Sequence, residues 1–311
     1  MILKLDASSL TKAAGCPRAL YHNISGLAGK SDSISASLAF GSAAHKFAEE
    51  FILTGDEMRG QAAATRYFDA QPVRYNFKDK HLNNNFLNEV TMAIESFLTQ
   101  DRFEILGVTN ELTGKNTLLC ELKLSIPLYE DATDALLMCG TVDMLIKYKG
   151  NGPYVIADWK TTNAADVDKY LEGYRLSTQL MTYRWFIRKL AEKHGPDSVY
   201  AKMGENVRSQ IFAVSTSAGK MPEVTASRLF EFNREMIDDY EAGLLTTAAL
   251  IWRHMKEQTL PAPLGFTSGA CAGKFSPCAY SLLCAANSIE HRELILNQHF
   301  TTKIYDPLTF R

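Results

Sequence analysis

After Gly107 the apolar residues of the chain stop recurring at intervals of three and four and begin to alternate, and this change of period limits the fold more than any other feature. Residues 117 to 128 (TLLCELKLSIPL), 136 to 148 (LLMCGTVDMLIKY) and 154 to 161 (YVIADWKT) read as successive strands, the last two joined by the tight connection KGNGP at 149 to 153. Ahead of them the pattern is mainly helical. AAHKFAEEFIL carries Ala44, Phe47, Ala48, Phe51 and Ile52 at helical spacing, and NNFLNEVTMAIESFL continues in the same way. Behind them the spacing predicts a long helix from about Ala165 to Lys193, striped by Leu176, Leu180, Ile187 and Leu190. A strand at 208 to 216 and a second long helix opening at EVTASRLFEF follow, and the tail from Pro261 reads as loop. Helices, a three-strand meander, then helix, strand and helix indicate an α/β sheet flanked by helices. No Gly-rich phosphate loop follows any of these strands, which excludes a doubly wound dinucleotide fold.

Across 311 residues, 46% hydrophobic and 22% charged content rules out disorder or coiled coil as a description of the whole, and the length suits one large domain or two small ones. The formal net charge of −2 provides no general attraction to a polyanion, so contact with nucleic acid has to come from a local patch. No apolar run approaches the ~18 residues of a membrane span, and MILKLDASSL meets Asp6 before a secretory core can form. The expectation is a soluble, cytoplasmic chain without membrane contact. In such a reducing compartment the crowding of Cys271, Cys278 and Cys284 points to metal or redox chemistry more than to disulfides. Cys120 and Cys139 fall within strands and read as core residues.

The chemistry is concentrated in GTVD at 140 to 143 and IADWKTT at 156 to 162. Residues two apart on a strand share a face, so Asp158 and Lys160 project together, and the hairpin brings Asp143 toward them. Two converging carboxylates repel unless a cation sits between them, and hard oxygen ligands suit magnesium or manganese. A charged lysine cannot be a ligand; it can orient a water or stabilise charge developing on a phosphate, which completes the parts for metal-assisted phosphodiester hydrolysis. Spacing alone leaves open a surface salt bridge instead. His45 and Glu49, four apart on one helix face, offer a further imidazole ligand or else a half-buried helical histidine. Gln179 and Tyr183 are again four apart, with Arg175, Arg184 and Arg188 nearby as phosphate contacts or as an ordinary solvated helix face.

In chain order, Gly-x-x-x-His at 41 to 45, Gly-x-Val-Asp at 140 to 143, Asp-x-Lys at 158 to 160 and Gln-x-x-x-Tyr at 179 to 183 resemble the PD-(D/E)XK nuclease superfamily, in its RecB-like exonuclease branch. The resemblance runs from Cys16 to Cys284. It implies a restriction-endonuclease-like core, a mixed central sheet flanked by helices, in a single nuclease domain over residues 1–311. Within it, 1–106 would be mainly helical, 107–220 the catalytic sheet core and 221–311 a helix and iron-sulfur segment. It further implies that His45, Asp143, Asp158 and the backbone carbonyl of Trp159 bind Mg2+ or Mn2+. Lys160 is then the catalytic lysine, Gln179 and Tyr183 line the DNA side, and Glu49 is a supporting acid. Asp158 stands where many members carry Glu.

Cys16, in GCPRALYH, followed by three late cysteines looks like the iron-sulfur arrangement of AddB-like nucleases and CRISPR-associated RecB-like exonucleases. By that likeness Cys16, Cys271, Cys278 and Cys284 hold a 4Fe-4S cluster. The interval between Cys271 and Cys278 is longer than the usual one. Zinc on the same four thiolates and four unligated thiols are the alternatives. The function implied is a metal-dependent exonuclease acting on free ends of single- or double-stranded DNA in repair, recombination or replication processing, alongside a helicase or recombination partner. A catalytically silent DNA- or partner-binding module and a structure-specific endonuclease are the competing readings, and the presence of His45, Asp143, Asp158 and Lys160 together speaks against silence.

Overall fold

The sheet announced by the alternating pattern is built on two long strands, Ala135–Tyr148 and Tyr154–Thr162. The computed structural model describes residues 1–30, 33–109, 116–204, 206–263, 271 and 278–308. The chain divides into two compact units. One consists of Asp32–Leu122 and Thr141–Arg234, the other of Met1–Ser31, Lys123–Gly140 and Glu235–Arg311.

In the first unit Tyr154–Thr162 pairs antiparallel with the later residues of Ala135–Tyr148, with Ala157 opposite Met144, and parallel with Arg208–Ser215, with Asp158 opposite Ile211. Val224–Ala226 and Phe103–Ile105 add antiparallel strands, so the sheet is mixed. A parallel pair cannot be joined by a tight turn, and the crossover from Thr162 to Arg208 carries the helices Val167–Glu172, Thr178–His194 and Val199–Met203. The face formed by Val155, Ala157, Trp159, Met144, Ile146, Phe212 and Val214 packs into one core with residues of the helices Ala36–Thr54 and Asn84–Leu98. Phe40, Phe47 and Phe97 bury their rings there, each contributing about 1.5–3 kcal/mol by leaving water. Ser35 and Asn83 cap the two helices by accepting from the amides of Leu38 and Phe86.

Three elements differ from the sequence pattern. The long helix expected over 165–193 is two helices, because Ser177 caps the second by accepting from Leu180 N, and Leu176 lies exposed between them instead of in the apolar stripe. The helix expected to open near residue 223 begins at Arg234, since β-branched Val224 and Thr225 pair with Val214 and Ala213. The strand expected over 117–128 is broken into Asn116–Leu118 and Cys120–Glu130, with Glu121 at φ 47°.

In the second unit Ile2–Leu5 forms a strand parallel to Ala135–Met138, within the third of the chain that reads as mainly helical. Helices Ala7–Gly15, Pro17–Ile24 and Arg234–Glu257 belong to the same unit. The tail expected to be loop contains helices Ser281–Ala285 and Ile289–His299 and the strand Phe300–Thr302, which pairs with Leu27–Gly29. Tyr280, Leu283, Ile295 and Phe300 bury enough apolar surface to hold these short pieces. The loop reading of 264–270 and 272–277 lies outside the described residues. Among the described residues no helix is long and apolar enough to cross a membrane.

Candidate active site

The site begins at a close approach of helix to strand. A Cβ on Gly41 would stand 2.9 Å from Thr161 Oγ1, so glycine lets Ala36–Thr54 lie against the strand that carries Asp158 and Lys160. One turn on, His45 Nδ1 is 3.4 Å from Asp143 Oδ2 and 3.8 Å from Glu121 Oε1. Glu121 meets Asp143 across neighbouring strands: Leu145 N donates to Leu119 O, and two residues further along each strand the side chains of 121 and 143 come together. Positive φ is costly for a residue with a side chain, and here it occurs at the residue that completes the cluster.

This trio fits a divalent ion. One ligand atom from each of His45, Glu121 and Asp143 lies within 4.8 Å of the others, a separation that an ion with bonds of roughly 2.0–2.6 Å spans. His45 Nδ1 is buried and has no hydrogen-bond partner among the described residues, which leaves its lone pair for such an ion. Burial first, then the carboxylates of Glu121 and Glu49, push the Cys120 thiol up to about 11, so the acids raise negative potential beside the trio.

Asp158 and Lys160 share a face, as the alternation requires, and form an ion pair through Asp158 Oδ2. Asp158 is fully buried, and burial of a carboxylate needs compensation. Gln179 Nε2 donates to Asp158 Oδ1 at 3.0 Å and to Tyr183 OH at 2.6 Å, while Tyr183 OH donates to the same Oδ1 at 3.4 Å. Tyr174 stands close enough that Asp158 adds to the elevation of its phenol, after burial and Tyr170. The two groups are joined by the buried Asp143, whose Oδ2 accepts from Trp159 N at 2.8 Å just past the end of the strand ladder. The Trp159 ring points to the opposite face, against Phe97 and Phe212.

Most of the residues expected at the site are therefore neighbours. Glu49 is held by Lys46 at 2.6 Å and stays outside the trio. Arg184 is buried, so it cannot be the solvent-facing phosphate contact expected of it, whereas Arg175 is exposed. Glu121 is the site residue that sequence reasoning missed; a single glutamate on an alternating strand has no spacing signal.

In the second unit the four cysteines gather. Cys16 precedes Pro17–Ile24, Cys278 N donates to Cys271 O at 3.0 Å, and Cys284 N donates to Tyr280 O at 3.1 Å. Partial burial, then the neighbouring thiols of Cys278, Cys16 and Cys284, hold the Cys271 thiol above its ordinary value. A cavity of about 580 Å³ opens on Cys16 and Cys278. Four convergent thiols beside open volume suit a cluster or ion bound by sulfur. Cys139 is a buried core residue whose thiol donates to Ser125, and Cys120 packs against the core of the first unit.

Among solved structures, the crystal structure of SSO0001 is similar at 12% identity over 77% of this chain and 84% of that one, with a TM-score of 0.26. No curated protein sequence matches the chain. The family model of the PD-(D/E)XK nuclease superfamily matches residues 4–285, a span that takes in the His45, Asp143 and Lys160 segments as well as all four clustered cysteines. With nearly its whole length matched, the chain belongs to the PD-(D/E)XK nuclease superfamily.

Proposed function

We propose that the chain is a metal-dependent deoxyribonuclease that hydrolyses phosphodiester bonds from DNA ends, as a RecB-like exonuclease of repair, recombination or replication processing. The observation that carries this is the convergence of His45, Glu121 and Asp143 beside the Asp158–Lys160 pair. His45, Glu121, Asp143 and Asp158, with the carbonyl of Trp159, would hold Mg2+ or Mn2+. A bound divalent ion supplies Lewis-acid polarisation of the phosphate and a more acidic attacking water.

The chain's own residues do the rest. The Trp159 amide fixes the Asp143 carboxylate, and Gln179 with Tyr183 fixes Asp158, so both acids are oriented before substrate arrives. Lys160, one fifth exposed, is paired with Asp158 and reaches solvent; from there its ammonium can orient water or meet charge growing on the phosphate. Cys16, Cys271, Cys278 and Cys284 would carry a 4Fe-4S cluster with a structural role, and the whole chain would act as one nuclease domain with a helicase or recombination partner.

Digestion of end-labelled linear DNA and closed circular DNA tests the reading. With manganese or magnesium the linear substrate should lose its label progressively while the circle survives, and chelator should stop the reaction. Cutting of the circle would favour the endonuclease, and DNA binding without cutting would favour the silent module.

A further inference from the structure

Beyond the metal trio, an aromatic and basic turn with no role in the chemistry above borders a cavity that also reaches Asn163, three residues after Lys160. Phe77–Asp79 is a 3₁₀ turn in which Phe77 is 85% exposed, among the most exposed large apolar side chains of the described residues. Burial would normally claim such a ring. Arg74, Lys78 and Lys80 beside it are exposed and form no ion pair with any described residue. Lys80 Nζ lies 5.2 Å from the centroid of the Phe77 ring. The turn is nevertheless anchored: Leu82 is buried in the core, His81 Nε2 donates to Thr216 O at 2.8 Å, and Leu82 N donates to Asp79 O at 2.9 Å.

Two cavities lead from this turn to the catalytic strand. The outer, of about 460 Å³, is lined by Phe77, Lys78, Lys80, His81 and Asn163. The inner, of about 230 Å³, shares His81 and Asn163 with it and reaches Thr161 and Thr162, the residues directly after Lys160. An exposed ring flanked by unpaired cations is what nucleic acid needs, because a base stacks on the ring and lysines meet the phosphates. A duplex keeps its interior base faces stacked on each other, so the ring selects an unpaired base. The buried Asp79 in the inner cavity disfavours phosphate there, whereas Asn163, Thr161 and Tyr170 suit the edge of a base or a sugar hydroxyl.

We infer that Phe77, Lys78, Lys80 and Asn163 form a binding site for single-stranded DNA that stacks one unpaired base on Phe77 and leads the strand to Lys160. The inference rests on the nuclease reading and names its substrate as single-stranded. It is tested by fluorescence anisotropy with a labelled single-stranded oligonucleotide and a blunt duplex of the same length, with calcium in place of the active metals. Phe77→Ala should weaken single-strand binding by about tenfold or more, Phe77→Trp should restore it, and duplex binding should not change. Joint Lys78→Ala and Lys80→Ala replacement should lower the salt slope of single-strand binding by about 1.4. Because Phe77 is exposed, thermal melting should stay at the parent value. Parent-like single-strand binding by Phe77→Ala, or an equal loss on duplex, would overturn the inference. So would a parent that binds duplex alone, with the nuclease reading left standing; a parent that binds neither DNA would overturn both.

Discussion

Lys160→Ala should reduce DNA cleavage by about 10²–10³-fold while DNA affinity and thermal stability remain close to the parent. The magnitude follows from removing one placed charge from the reacting phosphate, about 2.7–4 kcal/mol of transition-state stabilisation. Lys160 is partly exposed and its one ion pair among the described residues is with Asp158, so its loss opens no cavity in the apolar core. Asp158 keeps Gln179 and Tyr183 when the lysine is gone. Added manganese should therefore fail to rescue the variant, in contrast to Asp143→Ala, where excess metal can offset weakened binding. Single-turnover cleavage rates across a manganese series make the comparison, and a parent-like rate for Lys160→Ala would reduce the lysine to a salt-bridge partner.

Cys16→Ser should remove bound iron and sulfide from anaerobically purified protein and lower the melting temperature by roughly 8 °C. Cys16 lies near the start of the chain and its three partners near the end, so a shared cluster closes a loop of more than two hundred residues. Cross-links over loops of that order restrict the unfolded chain by about 5.5 kcal/mol, and each kcal/mol shifts melting by roughly 1.5 °C at this size. The parent should be brown with iron and sulfide in near-equal amounts. Stoichiometric zinc without sulfide would establish the zinc alternative, and a metal-free parent with an unchanged melting point in Cys16→Ser would leave four ordinary thiols.

The strand positions of Asp143, Asp158 and Lys160 were legible because alternation fixes which residues share a face, and the observed ion pair and Trp159 contact follow that geometry. His45 was legible from helical spacing, Gln179 and Tyr183 from theirs. Glu121 was not, since its position depends on a positive φ and on pairing with residues far along the chain. Arg184 misled for a related reason: Thr178–His194 buries Leu180, Tyr183, Arg184 and Ile187 together, so more of its circumference is covered than an amphipathic stripe announces. The break at 173–177 turned on a single serine cap, and the strand Ile2–Leu5 on a parallel partner more than a hundred residues away. Such long-range pairings leave no local period to read.

Soaking crystals with manganese and measuring anomalous scattering at its absorption edge shows whether His45, Glu121 and Asp143 hold the catalytic ion. A peak should stand within ligand distance of His45 Nδ1, Glu121 Oε1 and Asp143 Oδ2, and Asp143→Ala should abolish it. Manganese bound elsewhere, with cleavage activity intact and no peak at the trio, would contradict it.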